Sequence, residues 1–241
     1  MRSLVLLHGF TQTGASWERV EAALAGRYRV VTPDIRGHGT AGDAEPVTLA
    51  AVIDDVAATA DGRFTLAGYS MGGRIALHVA LALGAERVER LVLIGASPGL
   101  ADPSGRAARV ASDEALAARV EEMTIEAFER EWGATPVLAG QADSVRAAAR
   151  ADRLRNAPAG LARALRGLGT GALPPLWDRL SELTVPVTLI VGERDTKFRA
   201  IADEMAAGLP SAEIVVIEGV GHAAHLEAPE AVAATISRTS R

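Results

Sequence analysis

The stretch Phe64-Thr65-Leu66-Ala67-Gly68-Tyr69-Ser70-Met71-Gly72-Gly73-Arg74 decides the architecture. Phe64–Ala67 reads as a short buried strand, and Met71–Leu83 as an alanine-rich helix leaving a glycine-flanked turn. Between them lies Gly68-x-Ser70-x-Gly72, the G-x-S-x-G nucleophile elbow in its strand–turn–helix context. The glycines let the backbone turn more sharply than residues with a Cβ allow, which lifts the serine hydroxyl above the C-terminal edge of a sheet. The helix N-terminus behind it favours developing negative charge. A glycine-rich turn carrying an incidental serine is the competing reading, and the rest of the chain discriminates between the two.

Working outward, short β-branched runs alternate with amphipathic segments, the pattern of an α/β fold with a mainly parallel sheet flanked by helices. The other strand candidates are Leu4–Leu7, Arg29–Thr32, Arg90–Ile94, Val187–Val191 and Glu213–Ile217. Helices are expected at Trp17–Leu24 with Ser16 as a cap, at Leu49–Thr59 behind Thr48, and at Thr196–Ala207 just after Asp195. Residues 98–184 break the alternation: several helical stretches, no convincing strand, and breaks at Gly133, Pro136, Pro158 and Gly167–Pro175. An insertion that returns to a strand at Val187 predicts a helical lid (98–184) on a core formed by 1–97 and 185–241, all within a single domain. Only Met1–Ser3 precede the first strand, so any earlier edge hairpin is expected to be either absent or lost.

Composition narrows the chemistry. The chain has 241 residues, 49% hydrophobic and 23% charged, with a net charge of −5. That balance argues against a nucleic-acid footprint or a polybasic membrane anchor. No cysteine is present, which removes disulfides, thiolate metal sites and a cysteine nucleophile. The longest apolar run near the N-terminus is too short for a membrane span or signal core, so a soluble, cytoplasmic protein is expected. No H-E-x-x-H, Walker loop or G-x-G-x-x-G motif competes with the elbow, and no cofactor or metal is expected. Lys197 is the single lysine among the 25 basic residues, so an individual arginine carries little weight without motif context.

A serine nucleophile needs a base and an acid, in the order Ser, acid, His for this kind of elbow. His222, in Gly219-Val220-Gly221-His222 after the last strand, is the base expected. His8 and His38 precede the serine, His78 lies inside the elbow helix, and His225 reads as a neighbour or structural group. Val191-Gly192-Glu193-Arg194-Asp195 ends the penultimate strand, and Asp195 is preferred to Glu193 because a helix follows it at once. Gly95-Ala96-Ser97, after Ile94, offers no acid. The predicted triad is therefore Ser70–Asp195–His222. His8-Gly9-Phe10 follows the first strand, where Phe10 can give one oxyanion-hole N–H and Met71 the other; the His8 imidazole is read as a structural hydrogen-bonding group. Asp34 and Arg36 in Pro33–Gly39 read as loop-holding polar residues. Arg74 lies one helical turn after Ser70, on the same face, and a guanidinium pairs carboxylates in two-point fashion.

With these residues in place the chain resembles the α/β-hydrolase superfamily over nearly its full length. Gly68–Arg74, Gly192–Phe198 and Gly221–Glu227 together resemble one branch of it, the 2-succinyl-6-hydroxy-2,4-cyclohexadiene-1-carboxylate synthases of menaquinone biosynthesis. So do the lid stretches Ser97–Leu100, Arg106–Arg109, Leu154–Asn156 and Leu165–Gly171. The resemblance implies a lyase: the triad serine takes a ring proton, the oxyanion hole steadies a dienolate on the succinyl carbonyl, and pyruvate leaves without an acyl-enzyme. It also implies that Arg109 and Arg155 join Arg74 in binding substrate carboxylates, with Tyr69 and Trp132 as pocket walls. Arg106 and Arg153 are the neighbours for which these lid arginines are most easily mistaken, since a shift of two or three residues changes the helix face. Lys197 is expected to support the acid loop.

The same triad also serves a carboxylesterase or a carbon–carbon bond hydrolase working through an acyl-enzyme, and a small-molecule binding protein on this fold is a third reading. Arginines around the serine favour the lyase, because neutral esters call for an apolar acyl pocket.

Overall fold

The computed structural model describes residues 1–138 and 140–238. Six strands, β1 (Arg2–Leu7), β2 (Tyr28–Val31), β3 (Phe64–Tyr69), β4 (Val88–Ile94), β5 (Val187–Gly192) and β6 (Ala212–Ile217), form one sheet in the order β2-β1-β3-β4-β5-β6. Every pairing is parallel, so all C-terminal strand ends, and the loops that carry the predicted chemistry, lie on one edge.

Alternation along β1 shows how the sheet is covered on both faces. Val5 and Leu7 belong to one core cluster with Val52 and Val56 of α2 (Leu49–Ala58), Ile75 and Val79 of α3 (Met71–Arg87), and, across the sheet, Ala202 and Met205 of α8 (Thr196–Gly208). Leu4 and Leu6 face the other way, onto Trp17, Val20 and Leu24 around α1 (Glu18–Leu24) and Val232, Ala233 and Ile236 of α10 (Pro229–Ser237). A short helix, α9 (Ala224–Glu227), precedes α10.

Two boundaries differ from the sequence reading. A 3-10 turn over Gly14–Trp17 precedes α1, and its cap is Thr13, whose hydroxyl accepts from the Ala15 N–H. The Ser16 hydroxyl instead donates to the Thr13 carbonyl at 2.8 Å, so it caps nothing. The elbow helix runs on to Arg87, but Gly84 adopts φ 61° within it, a break one residue past the predicted end at Leu83.

Within 98–184 the described residues form four α-helices and no strand: α4 (Pro103–Glu121), α5 (Ile125–Gly133), α6 (Asp143–Arg153) and α7 (Pro158–Leu168). α4 packs on α7 through Ala117, Ala162 and Leu165. A second small cluster of Val120, Phe128 and Leu161 receives Phe10 and Trp132, so the loop after β1 forms part of the lid's seat. Polar bonds fasten the lid's α6–α7 turn to the core. Asp152 accepts from the Thr13 N–H at 3.0 Å and from its hydroxyl. Asn156 donates to the Thr11 carbonyl at 2.8 Å and accepts from the Gly39 N–H at 3.0 Å. Among the described residues no helix is long and apolar enough to cross a membrane.

Candidate active site

The elbow is built where it was predicted. Ser70 sits at φ 51°, ψ −108° between β3 and α3, a positive φ that a side chain normally avoids and that marks a constrained functional position. Its N–H donates to the Ile94 carbonyl at 2.9 Å and its carbonyl accepts from the Arg74 N–H at 3.0 Å. The first turn of α3 presses against the end of β1, so a Cβ at Gly72 would collide with the Leu7 and His8 carbonyls. That close approach brings the His8-Gly9-Phe10 loop alongside the start of α3.

His222 Nδ1 lies 2.6 Å from Asp195 Oδ2, and its Nε2 lies 3.2 Å from Ser70 Oγ. The carboxylate can only accept, which places the ring proton on Nδ1 and leaves Nε2 to accept from the serine hydroxyl. Asp195 also caps α8, its Oδ1 accepting from the Phe198 N–H at 3.4 Å, so one residue orients the base and starts a helix. Glu193, the competing acid, accepts from the Gly219 N–H at 2.9 Å instead. A Cβ at Gly95 would stand 2.9 Å from His222 Cε1, and Gly95 has φ 53°, so only glycine leaves room for the imidazole there.

Aromatic rings brace the base. Phe198 lies 4.4 Å and Tyr69 5.2 Å from the His222 ring centre, and Lys197 extends its ammonium over Phe198 at 5.6 Å. Glu227, which had no role in the sequence reading, holds the His222 loop: it accepts from the Gly221 N–H and from Arg194, both at 2.9 Å. A carboxylate five residues beyond the base carries no sequence signal of its own, because only the turn into α9 brings it back.

Neither the Phe10 nor the Met71 N–H has a hydrogen-bond partner among the described residues. Beside them, His8 is buried and stitches two loops, its Nε2 accepting from the Ile35 N–H at 2.9 Å. Its proton is therefore on Nδ1, which donates to the Gly9 carbonyl at 2.9 Å. Burial lowers the His8 pKa from 6.5 to about 4, in keeping with a structural imidazole.

Arg74 is buried in the elbow helix and donates only to the Leu168 carbonyl, at 3.3 Å. Its Nε has no partner and it forms no ion pair among the described residues. Burial, reinforced by Arg109, lowers its pKa to about 10. Arg109, on α4, is half-exposed and donates to Asp113 at 2.7 Å. Trp132 stands edge-on to Phe10 at 5.1 Å, and Tyr69 is buried beneath the two C-terminal histidines.

Arg155 departs from expectation. Its side chain is 60% exposed and lines a depression of about 500 Å³ with Thr13, Asp34 and Thr40, which includes no triad residue. The inward place at the end of α6 belongs to Arg153, buried against Glu129 at 3.0 Å and close enough for its charge to oppose the burial-driven rise of the Tyr69 pKa. α6 ends at Arg153, and Arg155 lies in the turn beyond it, where the chain carries its side chain out to solvent. Among the described residues no cluster of three or more His, Cys, Asp or Glu side chains is arranged to hold a metal.

Comparison with known proteins shows the family. The alpha/beta hydrolase family model matches residues 4–235. The chain is 35% identical over 243 residues to 2-succinyl-6-hydroxy-2,4-cyclohexadiene-1-carboxylate synthase of Salmonella paratyphi C, covering 99% of this chain and 94% of that one. It is 38% identical over 237 residues to a Bacillus subtilis (strain 168) protein named as a candidate for the same synthase, covering 94% and 86%. The solved structure of MenH from S. aureus superposes with a TM-score of 0.91 at 31% identity, covering 98% of this chain and 91% of that one. The chain belongs to the alpha/beta hydrolase family, in its branch of 2-succinyl-6-hydroxy-2,4-cyclohexadiene-1-carboxylate synthases.

Proposed function

We propose that the chain is a carbon–oxygen lyase that eliminates pyruvate from 2-succinyl-5-enolpyruvyl-6-hydroxy-3-cyclohexene-1-carboxylate, giving 2-succinyl-6-hydroxy-2,4-cyclohexadiene-1-carboxylate. The observation that carries this reading is Arg74: a guanidinium buried one helical turn from Ser70 that forms no ion pair among the described residues, the nearby Asp113 carboxylate being bonded to Arg109. A buried, unpaired cation is costly to maintain, and a substrate carboxylate supplies what it lacks. Neutral esters offer nothing to such a group.

In this mechanism Ser70, activated through His222 Nε2, accepts the proton of the ring carbon that bears the succinyl group. The electron pair moves toward the succinyl carbonyl, whose oxygen is held by the Phe10 and Met71 N–H groups as its charge grows. Collapse of the dienolate breaks the ring C–O bond and expels the enolate of pyruvate, which is protonated to pyruvate. Asp195 keeps the proton of His222 on Nδ1 and stabilises the imidazolium when it forms. No bond to Ser70 is made. Arg109 assists with a second carboxylate, and Trp132 and Tyr69 shape the pocket.

Pyruvate release from the enolpyruvyl substrate, measured beside cleavage of p-nitrophenyl acetate, tests this. Rapid pyruvate release with feeble ester cleavage is expected, and Ser70→Ala should reduce it by at least a thousandfold, the scale of a lost triad member. Brisk ester cleavage without pyruvate would instead make the chain a hydrolase.

A further inference from the structure

The Phe10 side of the oxyanion hole is a loop with intrinsic freedom. Gly9 has no side chain to restrict it, and Thr11 two residues later sits at φ 71°, a strained value for a β-branched residue. In a trans peptide the carbonyl and the N–H point in opposite directions. The direction of the Phe10 N–H therefore follows from what holds the Gly9 carbonyl, and that carbonyl accepts from His8 Nδ1 at 2.9 Å and from the Gln12 N–H at 3.1 Å. Gly9 would still be free to turn about its other torsion were its own N–H not held.

That N–H donates to Gln12 Oε1 at 3.2 Å. A backbone N–H can only donate, so the atom it meets must be the amide oxygen and not the amide nitrogen. The same oxygen lies 3.2 Å from His225 Nε2, so His225 carries a proton on Nε2. Its Nδ1 is buried and has no partner among the described residues. The ring is fixed between Trp17, at 4.6 Å, and Tyr69, at 4.2 Å, and Tyr69 immediately precedes the nucleophile. Burial lowers the His225 pKa to about 3, so the ring stays neutral and brings no charge beside the base.

We propose that Gln12 and His225 are positioning residues for the reaction. His225 holds the Gln12 carboxamide, which holds the Gly9 N–H, and the clamp prevents rotation of the Gly9–Phe10 peptide away from the developing oxyanion. This inference rests on the lyase reading and on Phe10 as a donor in it. Its mark is a defect confined to the transition state, since the hole is fully engaged only there.

The test is steady-state pyruvate release by Gln12→Leu, by His225→Phe, and by the double variant, with Ser70→Ala alongside and thermal melting of each. His225→Phe keeps an aromatic ring between Trp17 and Tyr69, so it preserves the packing if Gln12→Leu folds poorly. The expected result for each single variant is a kcat at least tenfold lower, KM within twofold of the parent, and a double variant no worse than Gln12→Leu alone. A folded Gln12→Leu or His225→Phe with parental kcat overturns the clamp, as does a double-variant loss equal to the product of the two single losses. No pyruvate release by the parent would instead remove the lyase reading, and full activity in Ser70→Ala the triad mechanism behind it, so these failures are separate from that of the clamp.

Discussion

Arg74, Arg153 and Arg155 share one side-chain chemistry and occupy three different environments. Arg74→Ala should raise KM and lower kcat/KM by about ten- to a hundredfold, the equivalent of roughly 1.5–3 kcal/mol for a charge-assisted bond, with little change in melting temperature because no ion pair is broken. Unchanged kinetics would take Arg74 out of the site. Arg155→Ala should leave both kinetic constants within about threefold. Arg153→Ala should cost stability on the order of 3 kcal/mol, since it removes the buried partner of Glu129 and leaves only half-exposed Arg150 at 3.2 Å. Equal stability of the two variants would contradict their assigned orientations. The grouping of Ser70, Asp195 and His222 was legible in the sequence because each follows within one to five residues of a strand end, and strand ends are fixed by short apolar runs. The facing of Arg153 and Arg155 was not, because Arg153 shares the charged side of α6 with Arg146 and Arg150, which the pattern turns to solvent, and Arg155 lies in the turn beyond the helix, where no periodicity applies.

Among the elements, the lid shows the same division between what the chain states and what only packing decides. Its helical character followed from the loss of strand signals between Pro98 and Val187, but its attachment did not, because Asp152 and Asn156 look like ordinary solvated polar residues in a helix-terminal turn. In the folded protein Asp152 is buried and serves both polar hydrogens of Thr13, while Asn156 bridges Thr11 and Gly39. These bonds join the lid to the strained loop that carries Phe10. Asp152→Ala leaves the Thr13 N–H and hydroxyl without their acceptor, a loss on the order of 1–3 kcal/mol. Limited proteolysis should then cut the α5–α7 region faster while the sheet resists. The Thr13 bonds are no latch if the lid of Asp152→Ala is cleaved at the parental rate.

For the molecule as a whole, histidine is placed almost entirely where it cannot be charged. His8 and His78 are lowered to about 4, and His38 and His225 to about 3, in each case chiefly by burial. Unfolding returns each to the ordinary value near 6.5. Below that pH the unfolded chain binds protons that the native state refuses, so stability is complete above about pH 6.5 and falls as the pH drops toward 4. The three fully buried rings, His8, His38 and His225, each contribute about 1.4 kcal/mol per pH unit within this window, together on the order of 4 kcal/mol per unit. Asp152 opposes the trend, because burial raises its pKa, but it is a single group against several. Set against a total stability of about 5–15 kcal/mol for a typical domain, the slope predicts a melting temperature that is level above about pH 6.5 and falls steeply between about pH 6.5 and 5. Melting followed across that range, with the uptake of protons on unfolding, checks the sign and the count. A melting temperature that stays level to pH 5.5 would mean that the histidines ionise in place and that the hydrogen bonds ascribed to neutral His8 and His225 do not hold the loop beside Ser70.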